Sequence, residues 1–408
     1  MFDRLSDLFK SITVEGMLYF FVALTFLVLP IGSAPPLISL VIALAVWVFS
    51  GTVFRMKNVV KMYWVIPLVL LSVLPWIGLL KSKDLELGMD YALKTKYIPI
   101  SFLVAGLWLS SKKIETLLRL FWIGLLSGAF LAALQFAGVM PPVRERFLGF
   151  GIVHTQLSLY LVIGLFTLSF AFRNEVNVKK RVITGFAMLT LFFHLVVLEG
   201  RAGYLILALL TPFIANNLML NSSKLIKFFI FILIVSSLAL SPVVRNEISK
   251  TIKQIKKRQV ITQGKLDTGF MRPFMAHTAM ELIKKSPMTG VGTGSFRHYS
   301  KQSKRMFSHP HNNILHLGVS YGVIGILSYF WLFGNMLVLS WRKMGTQLGN
   351  FVFAISIVLF LGGFFDTNIL NTGTLLLLMI GYGLVRHIDS KPDMQNNITT
   401  SPRLNSQA

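Results

Sequence analysis

The chain has no cysteine in 408 residues, so disulfides and thiolate ligands are both excluded. It is also poor in acid, with 16 Asp and Glu against 40 Lys and Arg, and poor in charge altogether, at 14% of residues. A water-soluble domain of this length needs far more polar surface to cover its core. Neither nucleotide fingerprint is present. Gly290, Gly292 and Gly294 follow no strand and precede no Lys-Ser/Thr pair, so they read as a tight turn that brings backbone close to a neighbour.

What the chain does have is hydrophobic sequence, 54% of it. Apolar runs recur along the whole length, each near the ~20 residues a helix needs to cross hydrocarbon. The fold class expected is an all-α integral membrane protein. Twelve spans are predicted at 16–33, 36–54, 62–80, 97–110, 115–138, 152–172, 182–198, 202–218, 226–241, 313–340, 350–365 and 371–387. The first is read as a retained span and not a cleaved signal, because a second follows at once and no small-residue cleavage pattern stands clear of Pro35 and Pro36.

Lys and Arg alternate between rich and poor loops. Arg55, Lys57, Lys112, Lys113, Lys179, Lys180 and Arg181 fall on the side of the N-terminus, which by the positive-inside rule is cytoplasmic. The organisation expected is spans one to nine in 1–241, a large outer loop at 242–312, spans ten to twelve in 313–390, and a disordered cytoplasmic tail at 391–408. The formal charge of +24 is spread over these loops, which favours anionic lipid and phosphate-bearing substrates as partners over nucleic acid. The outer loop holds 14 Lys or Arg against Glu247, Asp267 and Glu281. Within it, residues 245–258 have the pattern of an interfacial helix, and 272–285 begin with a proline suited to a first turn and end in lysines suited to a last.

Several residues could carry chemistry. Arg201 stands where span seven turns into span eight, and an arginine near hydrocarbon usually marks an anionic partner, although snorkelling or a pair with Glu199 would also hold it. Arg272 sits at a helix N-terminus, where the macrodipole disfavours a cation; another interaction could hold it there, but a solvated loop arginine is the plainer reading. Arg297 and Arg305 are weaker candidates of the same kind. His309 and His311, with His316 beyond, could ligate metal, but no acidic or cysteine ligand lies nearby in the sequence, and metal is set aside. A histidine, with an ordinary pKa of ~6.5, is the natural proton acceptor near neutral pH. Asp366, at the end of span eleven, is the competing base, or else a partner of Asn368, Asn371 or an arginine.

Three stretches belong together: "GRAGYL" at 200–205, "PMTGVGTGSF" at 287–296 and "HNNIL" at 311–315. Jointly they resemble the shared signature of the bacterial O-antigen ligase and polymerase superfamily, and within it the chain is most similar to the ligase family. The resemblance implies a GT-C-like glycosyltransferase architecture in the bacterial inner membrane, with its active site facing the periplasm. It implies transfer of a glycan from undecaprenyl diphosphate to a sugar of lipid A core, without metal or other cofactor. His311 falls on the family's histidine and Arg201 and Arg272 on its arginines. Asn312 follows the histidine in the motif, and His309 is a positioning residue or second proton shuttle. The family often has Ser before its first arginine, where this chain has Gly200. A polymerase extending the lipid-linked glycan, and a transporter of a lipid-linked saccharide, are the alternatives; oligomeric state is left open.

Overall fold

The computed structural model describes residues 13–32, 34–54, 62–142, 149–150, 152–198, 200–218, 271–300 and 307–389, with positions 245 and 249 between them. Among these residues it is all helix and turn. The helices in chain order are α1 Val14–Val28, α2 Ala34–Phe49, α3 Met62–Leu79, α4 Leu85–Ala92, α5 Pro99–Gly106, α6 Ser111–Phe136, α7 His154–Asn174, α8 Val178–Val197, α9 Arg201–Leu218, α10 Met271–Lys285, α11 Phe296–Tyr299, α12 Asn313–Arg342, α13 Gln347–Gly362 and α14 Thr372–Asp389. Four of them, α6, α7, α8 and α12, are long and apolar enough to cross a membrane; α1, α2, α3, α13 and α14 are shorter and apolar.

Side-chain caps fix several starts. Thr13 accepts from Gly16 N–H at 3.0 Å, Asn177 from Lys180 N–H at 3.3 Å and Thr346 from Gly349 N–H at 3.0 Å. Each satisfies a donor that the first helical turn leaves free, which matters most where no water is available. α7 is the central helix, packed on α6, α8, α9 and α13. Its Tyr160 and Phe166 are fully buried, as are Phe351 of α13 and Tyr382 of α14. Trp64 of α3 stacks on Tyr382 and donates to its carbonyl at 3.1 Å, while the Tyr382 hydroxyl donates back to Trp64 O at 2.8 Å, so α3 and α14 are tied at both ends of the ring pair.

Eleven of the twelve expected spans fall on these helices; the ninth, 226–241, lies outside the described residues, as do most of the interfacial helix at 245–258, the tail at 391–408, Arg305 and Glu199. Two spans differ in form. The fourth is only eight helical residues, Pro99–Gly106, preceded by α4 and a 3-10 turn at Leu93–Tyr97. Pro99, which has no N–H to donate, opens α5 and starts a new segment there. The tenth is broken at Gly322, whose φ of 64° and ψ of −152° no helix contains.

That break is filled by the glycine turn. Val291 and Gly292 donate to the carbonyls of Val319 and Ser320 at 2.7 and 3.3 Å, and Val323 donates to Pro287 O at 2.8 Å. The helix therefore hands its unpaired groups to the turn. Upstream, α10 runs beside the first part of α12 and makes a small second core from Met275, Ala279, Leu282, Phe296 and Val319. Gly292 has φ of 100°, and a Cβ there would lie 2.7 Å from Gly78 O. Gly292→Ala is expected to destabilise the protein by about 1–3 kcal/mol from backbone strain alone, read as a lower thermal midpoint in detergent. Gly138→Ala, at φ of 75° with open space around it, is the milder control.

Candidate active site

His311 is the one non-glycine residue with positive φ, 52°, among the described residues. Histidine tolerates that region better than most side chains, and strain of this kind gathers at functional sites. Immediately after it, Asn312 caps α12: its Oδ1 accepts from Leu315 N–H at 2.9 Å and its amide donates to Phe364 O at 3.1 Å. Asn313 is buried, donates from its backbone to Gly363 O at 2.7 Å, and donates from its amide to Asn368 Oδ1 at 3.0 Å and Tyr329 Oη at 3.2 Å. The two asparagines thus clamp the start of α12 onto the turn that follows α13.

Asp366 lies on that turn. Its Oδ1 is 3.0 Å from His311 Nδ1 and accepts from Thr367 N–H at 2.8 Å. The side chains are 39% exposed for His311 and 22% for Asp366, so the imidazole faces outward while the carboxylate sits behind it. Burial pushes the Asp366 carboxyl up, but the hydrogen bonds from His311 and Thr367 and the charge of the two histidines outweigh it, and its pKa lies below the ordinary carboxylate value. The two candidate bases, Asp366 and His311, are thus hydrogen-bonded to each other.

His309 places its ring edge-on to His311, centroids 4.4 Å apart, and its Nδ1 accepts from His311 N–H at 3.4 Å. Burial lowers its pKa to about 4, with His311 adding to the shift and Asp366 opposing it. It is therefore neutral at neutral pH. As pH falls from ~6.5 toward 4, the unfolded chain takes up a proton that folded His309 refuses, so stability is lost across that window and levels off below it. Asp366, held low, loses its contribution as pH falls through its own lowered pKa. The thermal midpoint is expected to drop between pH 7 and 4.5, and His309→Gln to reduce that drop; an unchanged slope in the variant would remove His309 from this account.

One ligand atom each from His309, His311 and Asp366 come within 4.8 Å of one another, a donor set that suits a divalent cation. The acidic ligand that the local sequence lacks is brought by the fold from 55 residues away. His316 belongs elsewhere: it is buried in α12 with its ring against Tyr91 at 5.3 Å.

The arginines divide. Arg201 is exposed at the first position of α9. Its neighbour Ala202 lines a small cavity together with Asp366, Gln156 and Asn371, so the start of α9 lies beside the His–Asp pair. Gly200 has no room for a side chain, since a Cβ would lie 2.5 Å from Ser158 Cβ on α7. Arg272 is exposed in the first turn of α10. Phe274, two residues on, meets Phe307 at 6.4 Å between centroids, which puts the start of α10 at the His309–His311 end of α12. Arg297 is committed to structure: its guanidinium forms a two-pronged pair with Asp84, with Glu86 at 3.4 Å, and Asp84 raises its pKa above the ordinary value. That pair joins α11 to the start of α4, where Asp84 also accepts from Leu87 N–H at 3.2 Å.

Sequence reasoning did not foresee Asn313, Asn368 and Tyr329 as the frame of the site. The available signal was two asparagines in apolar surroundings, where a buried amide needs partners.

A membrane protein of apolar helices, with a carboxylate-held histidine between two helix starts that carry arginine, is the class these features define. Residues 186–330 match the family model for O-antigen ligase, which supports membership of that family. The match takes in Arg201, Arg272 and His311, and supports a glycosyltransferase-like activity of the ligase and polymerase type; Asp366 falls beyond it. No curated protein matches the chain.

Proposed function

We propose that this chain is an O-antigen ligase, which transfers polysaccharide from undecaprenyl diphosphate to a sugar hydroxyl of lipid A core at the periplasmic face of the inner membrane. The observation that carries the reading is the 3.0 Å contact between His311 and Asp366 at the bundle end where α9 and α10 begin. With Asp366 accepting from Nδ1–H, the Nε2 of His311 is left without a proton and can take one from the acceptor hydroxyl. The hydroxyl oxygen then bonds to the anomeric carbon as the bond to the diphosphate breaks, with inversion. The proton ends on His311 and the negative charge on the departing lipid diphosphate. Arg201 and Arg272 hold that diphosphate, because guanidinium stays charged and offers phosphate two parallel donors.

In this reading no metal takes part. Asp366 is already engaged by His311 and Thr367, and the arginines supply the positive charge a leaving diphosphate needs. The test is purified protein with undecaprenyl-diphosphate glycan and lipid A core, with and without chelator. Product at an unchanged rate in chelator is expected. Activity lost in chelator and restored by a divalent cation would make the His309–His311–Asp366 cluster a metal site instead. Polymerase activity is separated in cells: loss of a ligase leaves long polymer on its lipid carrier, whereas loss of a polymerase leaves core capped with single repeat units.

A further inference from the structure

The N-terminal turn of α7 lines the small cavity beside Asp366; its C-terminal turns line a much larger one. At ~1.5 Å per residue, α7 is roughly 30 Å long, so the two lie at opposite ends of the bundle. The larger cavity, about 390 Å³, opens between the end of α7 and the starts of α6, α8 and α13. That is within the ~300–1,000 Å³ of small-molecule sites.

Its floor is apolar, from Leu118, Trp122 and Phe170. The Trp122 indole donates to Thr167 Oγ1 at 2.9 Å, so its N–H is satisfied and its ring is left as wall. One floor group is not satisfied. Asn350 of α13 is 1% exposed, its Oδ1 accepts from Gly345 N–H at 3.0 Å, and its Nδ2 has no partner among the described residues. A buried amide donor left unpaired is costly, so a ligand bringing an acceptor oxygen would relieve it.

The rim carries both signs of charge: Arg119 is paired with Glu115, and Lys180 and Glu175 also line it. Glu175 Oε1 accepts from Asn177 N–H at 3.0 Å, which leaves its other oxygen available. Such a rim repels neither a pure anion nor a pure cation strongly, but it fits best a headgroup that carries both. Beyond the rim, Val182, Ile183, Phe186 and Leu189 of α8 are each more than half exposed. In a chain of this hydropathy that face lies against acyl chains.

We infer that this cavity is a binding site for a zwitterionic phospholipid whose headgroup ends in a primary ammonium. Its phosphate region accepts from Asn350 Nδ2 with Lys180 alongside, its ammonium donates to Glu175, and its acyl chains run out along α8. A primary ammonium has N–H donors for the carboxylate that a quaternary ammonium lacks. The site is separate from the His311 chemistry and stands or falls without it.

The test uses full-length protein purified into nanodiscs and transferred to detergent, with retained lipid read by native mass spectrometry. Phosphatidylethanolamine, phosphatidylcholine and phosphatidylglycerol of identical acyl chains are compared. The ethanolamine lipid is expected to be retained about tenfold more tightly than the choline lipid, the difference of one charge-assisted hydrogen bond. Glu175→Gln is expected to abolish that preference, and Lys180→Gln to weaken both lipids. Both positions are on the rim, and the preference of the unmodified protein tests the inference by itself. Soluble glycerophosphoethanolamine is expected not to displace the lipid. Equal retention of the three lipids, a preference that survives Glu175→Gln, or displacement by the soluble headgroup would each overturn it.

Discussion

Replacing His311 with alanine is expected to lower glycan transfer by roughly 10²–10⁴-fold, the range that a positioned general base contributes. Polymer should still be made and exported but remain on its lipid carrier. Because His311 holds φ of 52°, alanine adds some backbone strain, and His311→Asn is the better companion: asparagine accepts left-handed backbone but is no base. Equal loss in both variants, at normal membrane level, assigns the effect to the imidazole. Asp366→Asn should approach the same loss. An amide facing Nδ1 can donate to it, which moves the ring proton to Nε2 and removes the acceptor site. Because the pair acts as a unit, the double variant is expected to be no worse than His311→Ala. A His311 variant that still yields fully capped lipopolysaccharide would exclude it as the base.

What could be read from the chain alone follows from the range of each interaction. Apolar runs announce helices because the requirement is local: a span must satisfy its own backbone. The glycine turn was legible for the same reason, since Gly290, Gly292 and Gly294 can take positive φ that other residues resist, and all three do. The break at Gly322 was not legible, because its carbonyls are taken by residues about thirty positions upstream, a pairing that no periodicity records. Asp366 was visible as an acid at a span end, but its partner comes from across the whole of α12 and α13. Arg297, one of the weaker candidates by sequence, is paired by the fold with Asp84 from 213 residues away. Charged residues were thus easier to find than to assign, since composition fixes that a charge needs a partner and only tertiary structure says which.

Arg201→Ala is expected to cost about 10²–10³-fold in rate, the loss typical of one donor aimed at charge that develops in the transition state. Arg201 is exposed at the first position of α9. Gly200 lets the start of α9 close onto Ser158 of α7, and Ala202 borders the cavity that Asp366 also lines. The start of α9, which carries the arginine, is thereby held at the cavity that Asp366 lines. Arg201→Lys keeps the charge but gives up the two-pronged geometry, so it should recover only part of the loss. The division between constants is the decisive readout. If Arg201 stabilises the departing diphosphate, kcat falls in both variants; a rise in KM for the lipid-linked donor with kcat unchanged would limit it to holding the ground state. Full activity in Arg201→Lys would mean that charge alone is enough at this position and would remove the case for phosphate gripped through both guanidinium nitrogens.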